Sequence, residues 1–413
     1  MNKIIVQKYG GSSVASIERV KRIAEKIVET AKDGDRVVVV VSAMGKTTDD
    51  LIKMAGQITS SPNERELDML ISTGEQVSIA LLTMAIHALG WDAISFTGMQ
   101  AGIVTNAVHT KAKVTAVNHK KLKSALEKGK IVIVAGFQGI DANGDITTLG
   151  RGGSDTTAIA LAAQLEADKC EIYTDVEGVF TADPRIVRTA RRIPVISYDE
   201  MAEMASLGAR VMHYRAIDLA RNYKVKILVK SSFIEGEGTL IKEVDQMLEK
   251  VIVRGVTQET NVGKIVVQGV PDVPGVAYKL FKAMAEKEII VDMIIQSAHH
   301  NQVNDIAFTV ALNDFNKAIR ITKHIAEEIG AKEVISESEV AKVSIVGAGI
   351  TSDPAIAARM FGAMAKEGVN IDMISTSGIK ISCLISHSRI EDAVKAIHKE
   401  FNLDKAGEEN EKI

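Results

Sequence analysis

The sequence predicts an α/β protein. An open, mostly parallel sheet between helix layers fills roughly the first 230 residues, and two ferredoxin-like βαββαβ modules follow. Three observations carry this reading. Short β-branched runs alternate with stretches of helical periodicity in the N-terminal part. A glycine- and charge-rich stretch, Glu235-Gly236-Glu237-Gly238 with Lys242-Glu243-Val244-Asp245, then interrupts the pattern. Beyond it the chain repeats itself, with Pro274 falling on Pro354 and Asp292 on Asp372.

Strands are expected at Ile4 to Gln7, Val37 to Val41, Ile131 to Ala135, Cys170 to Tyr173 and Val225 to Val229. Their near-continuous apolarity marks them as central and mostly parallel. Ile17, Val20, Ala24, Ile27, Val28 and Ala31 recur at three- and four-residue spacing and predict one helix face; the stretch from Gln76 to Leu89 predicts another. In the repeat, Ala277, Phe281, Ala283, Met284, Ala285, Met293 and Ile294 match Ala357, Phe361, Ala363, Met364, Ala365, Met373 and Ile374. Each copy reads as strand, turn, helix and strand. A second strand (Asp305 to Ala311; Lys380 to Ser386) and a second helix (Asn316 to Ile329; Glu391 to Phe401) follow.

Composition excludes several classes. Lys+Arg 50 against Asp+Glu 53 leaves a net charge of −3, so no bulk positive field gathers nucleic acid or anionic lipid. The two cysteines, Cys170 and Cys383, are too few and too far apart for a disulfide framework or thiolate metal cluster, which fits a reducing cytoplasm. The apolar run at the start is too short for a signal peptide, and no later stretch approaches the ~18 uncharged apolar residues of a membrane span. Neither a membrane nor a nucleic-acid partner is expected.

Several motifs could hold anions. Lys8-Tyr9-Gly10-Gly11-Ser12-Ser13 puts a lysine at a strand end, then two glycines, then a helix: a phosphate cradle or a tight turn beside a solvated lysine. It fits neither G-x-G-x-x-G nor a Walker A loop, because Val40 stands where the glycine ahead of Gly45-Lys46-Thr47 would have to be. In Gly150-Arg151-Gly152-Gly153-Ser154-Asp155, Arg151 could grip a carboxylate or phosphate in bidentate fashion, while Ser154 or Asp155 could cap the following helix. Ser72 and Glu75 have capping-box spacing. Ser42 to Asp49 and Thr174 to Phe180 leave strand ends. The adjacent His299 and His300 read as a loop, since neighbouring histidines point apart and no carboxylate completes a site; no metal site is predicted. Met201, Met204 and the Met-rich 280s and 360s read as helix cores.

Taken in order, Lys-Tyr-Gly-Gly-Ser-Ser at 8–13, Ser-Ala-Met-Gly at 42–45, Gly-Glu at 74–75, Gly-Phe-Gln-Gly at 136–139, Gly-Arg-Gly-Gly-Ser-Asp at 150–155 and Thr-Asp-Val-Glu-Gly-Val-Phe-Thr-Ala-Asp-Pro-Arg at 174–185 resemble the aspartate kinases over nearly the whole chain. The resemblance implies an amino acid kinase catalytic domain at 1–232, a linker at 233–260, ACT modules at 261–338 and 339–405, and a polar tail at 406–413. It implies ATP-dependent phosphorylation of the β-carboxylate of L-aspartate, a first step towards lysine, threonine, methionine and diaminopimelate, in the cytoplasm. A carboxylate with a reference pKa near 3.9 is already ionised at neutral pH, so no general base is needed; positioning and positive charge must do the work.

The same resemblance assigns roles. Lys8 stabilises the transferring phosphoryl group and Asp155 orients it, while Tyr9, Gly10, Gly11 and Ser42 join the nucleotide site and the glycines donate backbone N–H groups. Arg151 holds the α-carboxylate of aspartate and Glu75 its ammonium group, assisted by Thr48, Gly152, Gly153 and Ser154. Thr174, Asp175, Phe180, Arg185, Arg210 and Val211 line the nucleotide; relatives often carry tyrosine at Phe180 and lysine at Arg210. Mg²⁺ comes with ATP and not in an all-protein cage. Asp272, Val273, Pro274, Gly275, Asp292 and Gln296 form an effector site for lysine, threonine or both, whereas Asp353-Pro354-Ala355 replaces the Pro-Gly turn in the second module. A homo-oligomer through the ACT modules is implied, as is a strand lent to the second module by Val251 to Val256. Met247 could start a separately made regulatory subunit, and no fused dehydrogenase is expected. A sibling kinase acting on another carboxylate and a non-catalytic amino-acid sensor are the competing readings.

Overall fold

The structure, a computed structural model, describes residues 3–209, 211–244, 253–297, 303–350 and 353–405. They divide into two compact units, the second of which takes 180–191 and 207–209 in addition to everything described from 253 onward.

The first unit opens with β1 (Ile4–Tyr9), α1 (Ile17–Lys32), β2 (Arg36–Val41), α2 (Thr47–Ile58), α3 (Glu64–Ile71), α4 (Thr73–Ala88) and β3 (Ala93–Phe96). It continues through β4 (Ile103–Thr105), β5 (Val114–Val117), α5 (Lys120–Glu127), β6 (Ile131–Ala135), β7 (Gln138–Ile140), β8 (Ile146–Thr148), α6 (Gly153–Gln164) and β9 (Lys169–Thr174). It ends with β10 (Val195–Ser197), α7 (Tyr198–Ser206), α8 (Tyr214–Tyr223), β11 (Ile227–Ser231) and β12 (Thr239–Lys242). Eight strands form one sheet in the order β10-β12-β11-β9-β1-β2-β6-β3, and only the β11–β12 pairing is antiparallel. Five consecutive valines of β2 are buried because helices cover both faces of the sheet.

Strand alternation decides which residues meet which layer. Gln7 and Tyr9 face α1, where Gln7 bonds Thr30, and Val37, Val39 and Val41 join Ile79, Leu82 and Ile86 of α4 in one core. Lys8 faces the opposite way, towards α6. Within α1 the buried stripe is Val20, Ile23, Ala24, Ile27 and Val28; Ile17 is exposed because it opens the first turn, just after the Ser16 cap. The stretch Glu64–Ala88 is long and apolar enough to span a membrane, a run the sequence reading passed over. Here it is two helices, α3 and α4, that bury Asp68 and Glu75. The sequence reading also passed over β3, β10, β12 and a separate small sheet, β5-β4-β7-β8.

The second unit holds β13 (Gly255–Glu259), β14 (Gly263–Pro271), α9 (Val276–Ala285), β15 (Val291–Gln296), β16 (Val303–Val310), α10 (Leu312–Ile329) and β17 (Glu333–Glu337). β18 (Val340–Val346), α11 (Pro354–Lys366), β19 (Met373–Ser377), β20 (Lys380–Ser386) and α12 (Ile390–Glu400) complete it. The first repeat is a full βαββαβ module with sheet order β15-β16-β14-β17. In the second the order is β13-β18-β20-β19, so β13, from ahead of the first module, occupies the position that β17 fills in its counterpart. Met284 of α9 and Met360 and Met364 of α11 are buried in their module cores. His299, His300 and Met247 lie outside the described residues.

Candidate active site

β1 is the switch point of the large sheet, flanked on one side by β2 and on the other by β9, which comes much later in the chain. Ligands of open α/β sheets bind outside the carboxyl ends of strands at such a point. The carboxyl ends of β1, β2, β6 and β9 share that edge, which carries Lys8 to Gly11, Ser42, Gly136 and Thr174.

Lys8 Nζ lies 2.7 Å from Asp155 Oδ1, with both side chains close to 90% buried (12% and 10% exposed). Removing either partner would leave a poorly solvated charge, so the pair fixes the direction of the ammonium. Asp155 and Ser154 were candidates for helix capping. They lie instead inside the first turn of α6, whose N-cap is Gly152, and neither caps it. Ser154 Oγ accepts a hydrogen bond from Ser42 Oγ at 2.9 Å, which ties α6 to the end of β2. Of the two glycines expected to donate N–H groups, Gly10 already donates to Tyr173 O, at 3.4 Å. Among the described residues Gly11 N has no acceptor, so that amide remains for a ligand.

Glu75 shows a capping box to be absent. Ser72 Oγ donates to Met69 O, and Glu75 accepts the Ala43 N–H at 3.1 Å. Gly74 makes this approach possible, because a Cβ there would sit 2.7 Å from Ala43 Cβ. Burial pushes the Glu75 carboxyl up to about 7, opposed by backbone N–H groups, and its Oε2 meets no hydrogen-bond partner among the described residues. A buried acceptor without a partner is costly, and an ammonium group would satisfy it.

Arg151 is exposed at the tip of a tight turn closed by Gly153 N donating to Gly150 O at 3.0 Å. Gly150 and Gly152 both have positive φ, 72° and 69°, and a Cβ on Gly152 would lie 2.2 Å from His213 Cβ. Thr48 is half-buried in the first turn of α2. Thr174 Oγ1 donates to Asp175 Oδ1 just past the end of β9. Val211 is half-buried in the first unit, whereas Phe180 and Arg185 belong to the second; there Arg185 pairs with Asp183. Arg210 lies outside the described residues. Asp68, Thr110 and Arg215, which contact residues 148–150 just ahead of Arg151, were not singled out from the sequence; a lone aspartate at an apolar position of a helix was the signal available.

The family model described as amino acid kinase family matches residues 3–231, and the ACT domain model matches 264–324 and 343–401. An aspartokinase of Pseudomonas aeruginosa is 49% identical over 410 residues, covering 99% of this chain and 100% of its own. The chain belongs to the amino acid kinase family, among its aspartate kinases. Aspartokinase 2 of Bacillus subtilis is 47% identical over 97% of this chain and 98% of its own length. The crystal structure of E. coli aspartokinase III in complex with aspartate and ADP superposes with a TM-score of 0.81 at 25% identity, covering 96% of this chain and 99% of that one. The same enzyme in complex with lysine and aspartate gives 0.77 at 26% identity, covering 96% and 99%.

In the ACT part of this family member, Asp272 to Gly275 form an exposed turn ahead of α9, where Gly275 has φ 97°. Asp272 Oδ1 accepts from Asn304 Nδ2. Asp292 and Gln296 lie exposed on β15. At the matching point of the second module, Asp353 accepts the Ala355 N–H and so caps α11.

Proposed function

We propose that this aspartate kinase family member transfers the γ-phosphoryl group of ATP to the β-carboxylate of L-aspartate, giving 4-phospho-L-aspartate and ADP. The observation that carries the reading is the buried Lys8–Asp155 pair at the sheet's switch point. The E. coli enzyme crystallised with aspartate and ADP supports it.

The difficulty of the reaction is bringing a carboxylate up to a polyanion, so most of the catalysis is positioning and charge stabilisation. Lys8, aimed by Asp155, meets the charge that develops on the transferring group, and the Gly11 N–H adds a neutral donor. Arg151 takes the α-carboxylate of aspartate, and Glu75, through its unpartnered Oε2, takes the ammonium. Thr48, Gly152, Gly153 and Ser154 complete the amino-acid side. Gly10, Ser42, Thr174, Asp175, Arg210 and Val211 are assigned to the nucleotide side; the Tyr9 side chain is fully buried on the α1 side of the sheet, so that residue can contribute only its backbone. Mg²⁺ would come with ATP and would supply positive charge to its phosphates. Asp272 to Gly275, Asp292 and Gln296 receive an amino-acid effector, lysine, threonine or both, in a cytoplasmic homo-oligomer.

A coupled assay for ADP release tests the reading with aspartate, glutamate and acetylglutamate. Turnover with aspartate alone is expected. Preference for another carboxylate would make it a sibling kinase, and no turnover with any would leave an amino-acid sensor. Titrating lysine and threonine singly and together identifies the effector.

A further inference from the structure

Asp68 of α3 is fully buried, yet no lysine or arginine pairs with it among the described residues. Its carboxylate is surrounded by donors instead. His109 Nδ1 lies at 2.8 Å, the Thr110 N–H reaches both oxygens at 3.0 and 3.1 Å, and Thr148 Oγ1 donates at 2.5 Å. A buried carboxylate persists only when hydrogen-bonded in this way.

Two of those donors lead directly to the Arg151 turn. Thr110 has φ 61°, a left-handed conformation that a β-branched residue adopts only when its surroundings enforce it. Its carbonyl backs onto Gly150, where a Cβ would lie 3.0 Å from Thr110 O. Thr148 is the last residue of β8, just ahead of the turn, and its carbonyl accepts the Ala112 N–H at 2.9 Å. Arg215 ties the same two segments together, donating to Leu149 O at 2.9 Å and to Ala112 O at 3.1 Å.

We propose that Asp68 is a positioning residue for the substrate-binding Arg151. By holding the strained Thr110 backbone and the Thr148 hydroxyl together, it fixes the foot of the turn that presents the guanidinium. Its kinetic consequence rests on the proposed assignment of Arg151 to aspartate.

The test uses the full chain carrying Asp68→Asn, Thr148→Val, Thr110→Gly and the Asp68→Asn/Thr110→Gly double substitution. Asp68→Asn is expected to raise the KM for aspartate about tenfold while the KM for ATP stays within about twofold, and Thr148→Val to shift it the same way by about threefold. Glycine adopts φ 61° without strain, so the double variant should recover most of the loss. Equal changes in both KM values, or no recovery, would overturn the proposal. Limited trypsin digestion after Arg151 gives a readout free of catalysis. Measured at a temperature where each variant stays folded, cleavage after Arg151 relative to cleavage at other basic residues should be faster in Asp68→Asn and Thr148→Val, and unchanged relative cleavage in both would also overturn it. If the unsubstituted protein does not phosphorylate aspartate, the functional reading fails and the digestion alone decides the role of Asp68.

Discussion

Lys342 in the second ACT domain bonds the carboxylate of Asp292 in the first, while Asp372, which occupies the place of Asp292 in the second repeat, is bonded by Lys264 of the first. Met293 and Met373, the residues that follow the two aspartates, share one cluster with Val262, Val340 and Leu384. Lys342 is 6% exposed and Asp292 48%, so the two halves of the pair are not equivalent. Asp292→Ala strands a buried ammonium and should cost on the order of 2–3 kcal/mol, whereas Lys342→Met leaves a carboxylate that water can reach and should cost under about 1 kcal/mol. Urea unfolding of both variants checks this; equal losses would show that burial of Lys342 does not set the cost.

Glu75 supplies a pH dependence with a definite sign. Burial raises its carboxyl from the ordinary 4.5 to about 7. Its contribution to stability is therefore fully present below pH 4.5 and is lost as pH rises through about 7. Aspartate's ammonium needs the ionised form, so the KM for aspartate should fall as pH rises through this range. In Glu75→Gln both slopes should flatten, and a KM slope that survives the substitution would remove Glu75 from the ammonium site.

Arg151 and Lys8 should separate binding from chemistry. Arg151→Ala is expected to raise the KM for aspartate by about 100-fold or more and that for ATP far less, as expected when a charged hydrogen bond to one ligand is removed. Lys8→Ala should lose turnover while nucleotide still binds, measured by calorimetry. An unaltered kcat in Lys8→Ala would contradict the role given to its ammonium.

In the second unit Thr181 Oγ1 lies 2.9 Å from His398 Nε2 of α12, both buried. Burial holds the imidazole below its ordinary 6.5, so its contribution is present above pH 6.5 and is lost as pH falls through the lower folded value. Thr181→Val removes the partner of a buried nitrogen and should cost about 1–2 kcal/mol at neutral pH. Denaturant midpoints equal to those of the unsubstituted chain would show that the nitrogen finds another partner.

The strands legible in the sequence were those whose residues are apolar on both faces, such as Val37 to Val41, and the repeat was legible because Met293 and Met373 serve one shared cluster. β10 and β12, near the sheet margin, and the small β5-β4-β7-β8 sheet escaped because three- and four-residue strands carry too little periodicity to read. At the site, Lys8, Glu75, Arg151 and Asp155 stood out as charges beside glycines. That Glu75 meets Ala43 and caps nothing depends on the packing of α4 against β2, which no local pattern encodes. Asp68 was missed for the same reason, since its partners His109 and Thr148 come from distant segments.

The strand Gly255–Glu259 precedes one ACT domain in the chain but borders the sheet of the other, pairing Val256 with Ile345 and Gln258 with Val343. The end of the linker, at residue 260, is therefore not a place where the protein can be divided. A regulatory fragment begun after this segment would expose the bare margin of β18, an open template for pairing with another molecule. One begun ahead of Gly255 carries its own closure.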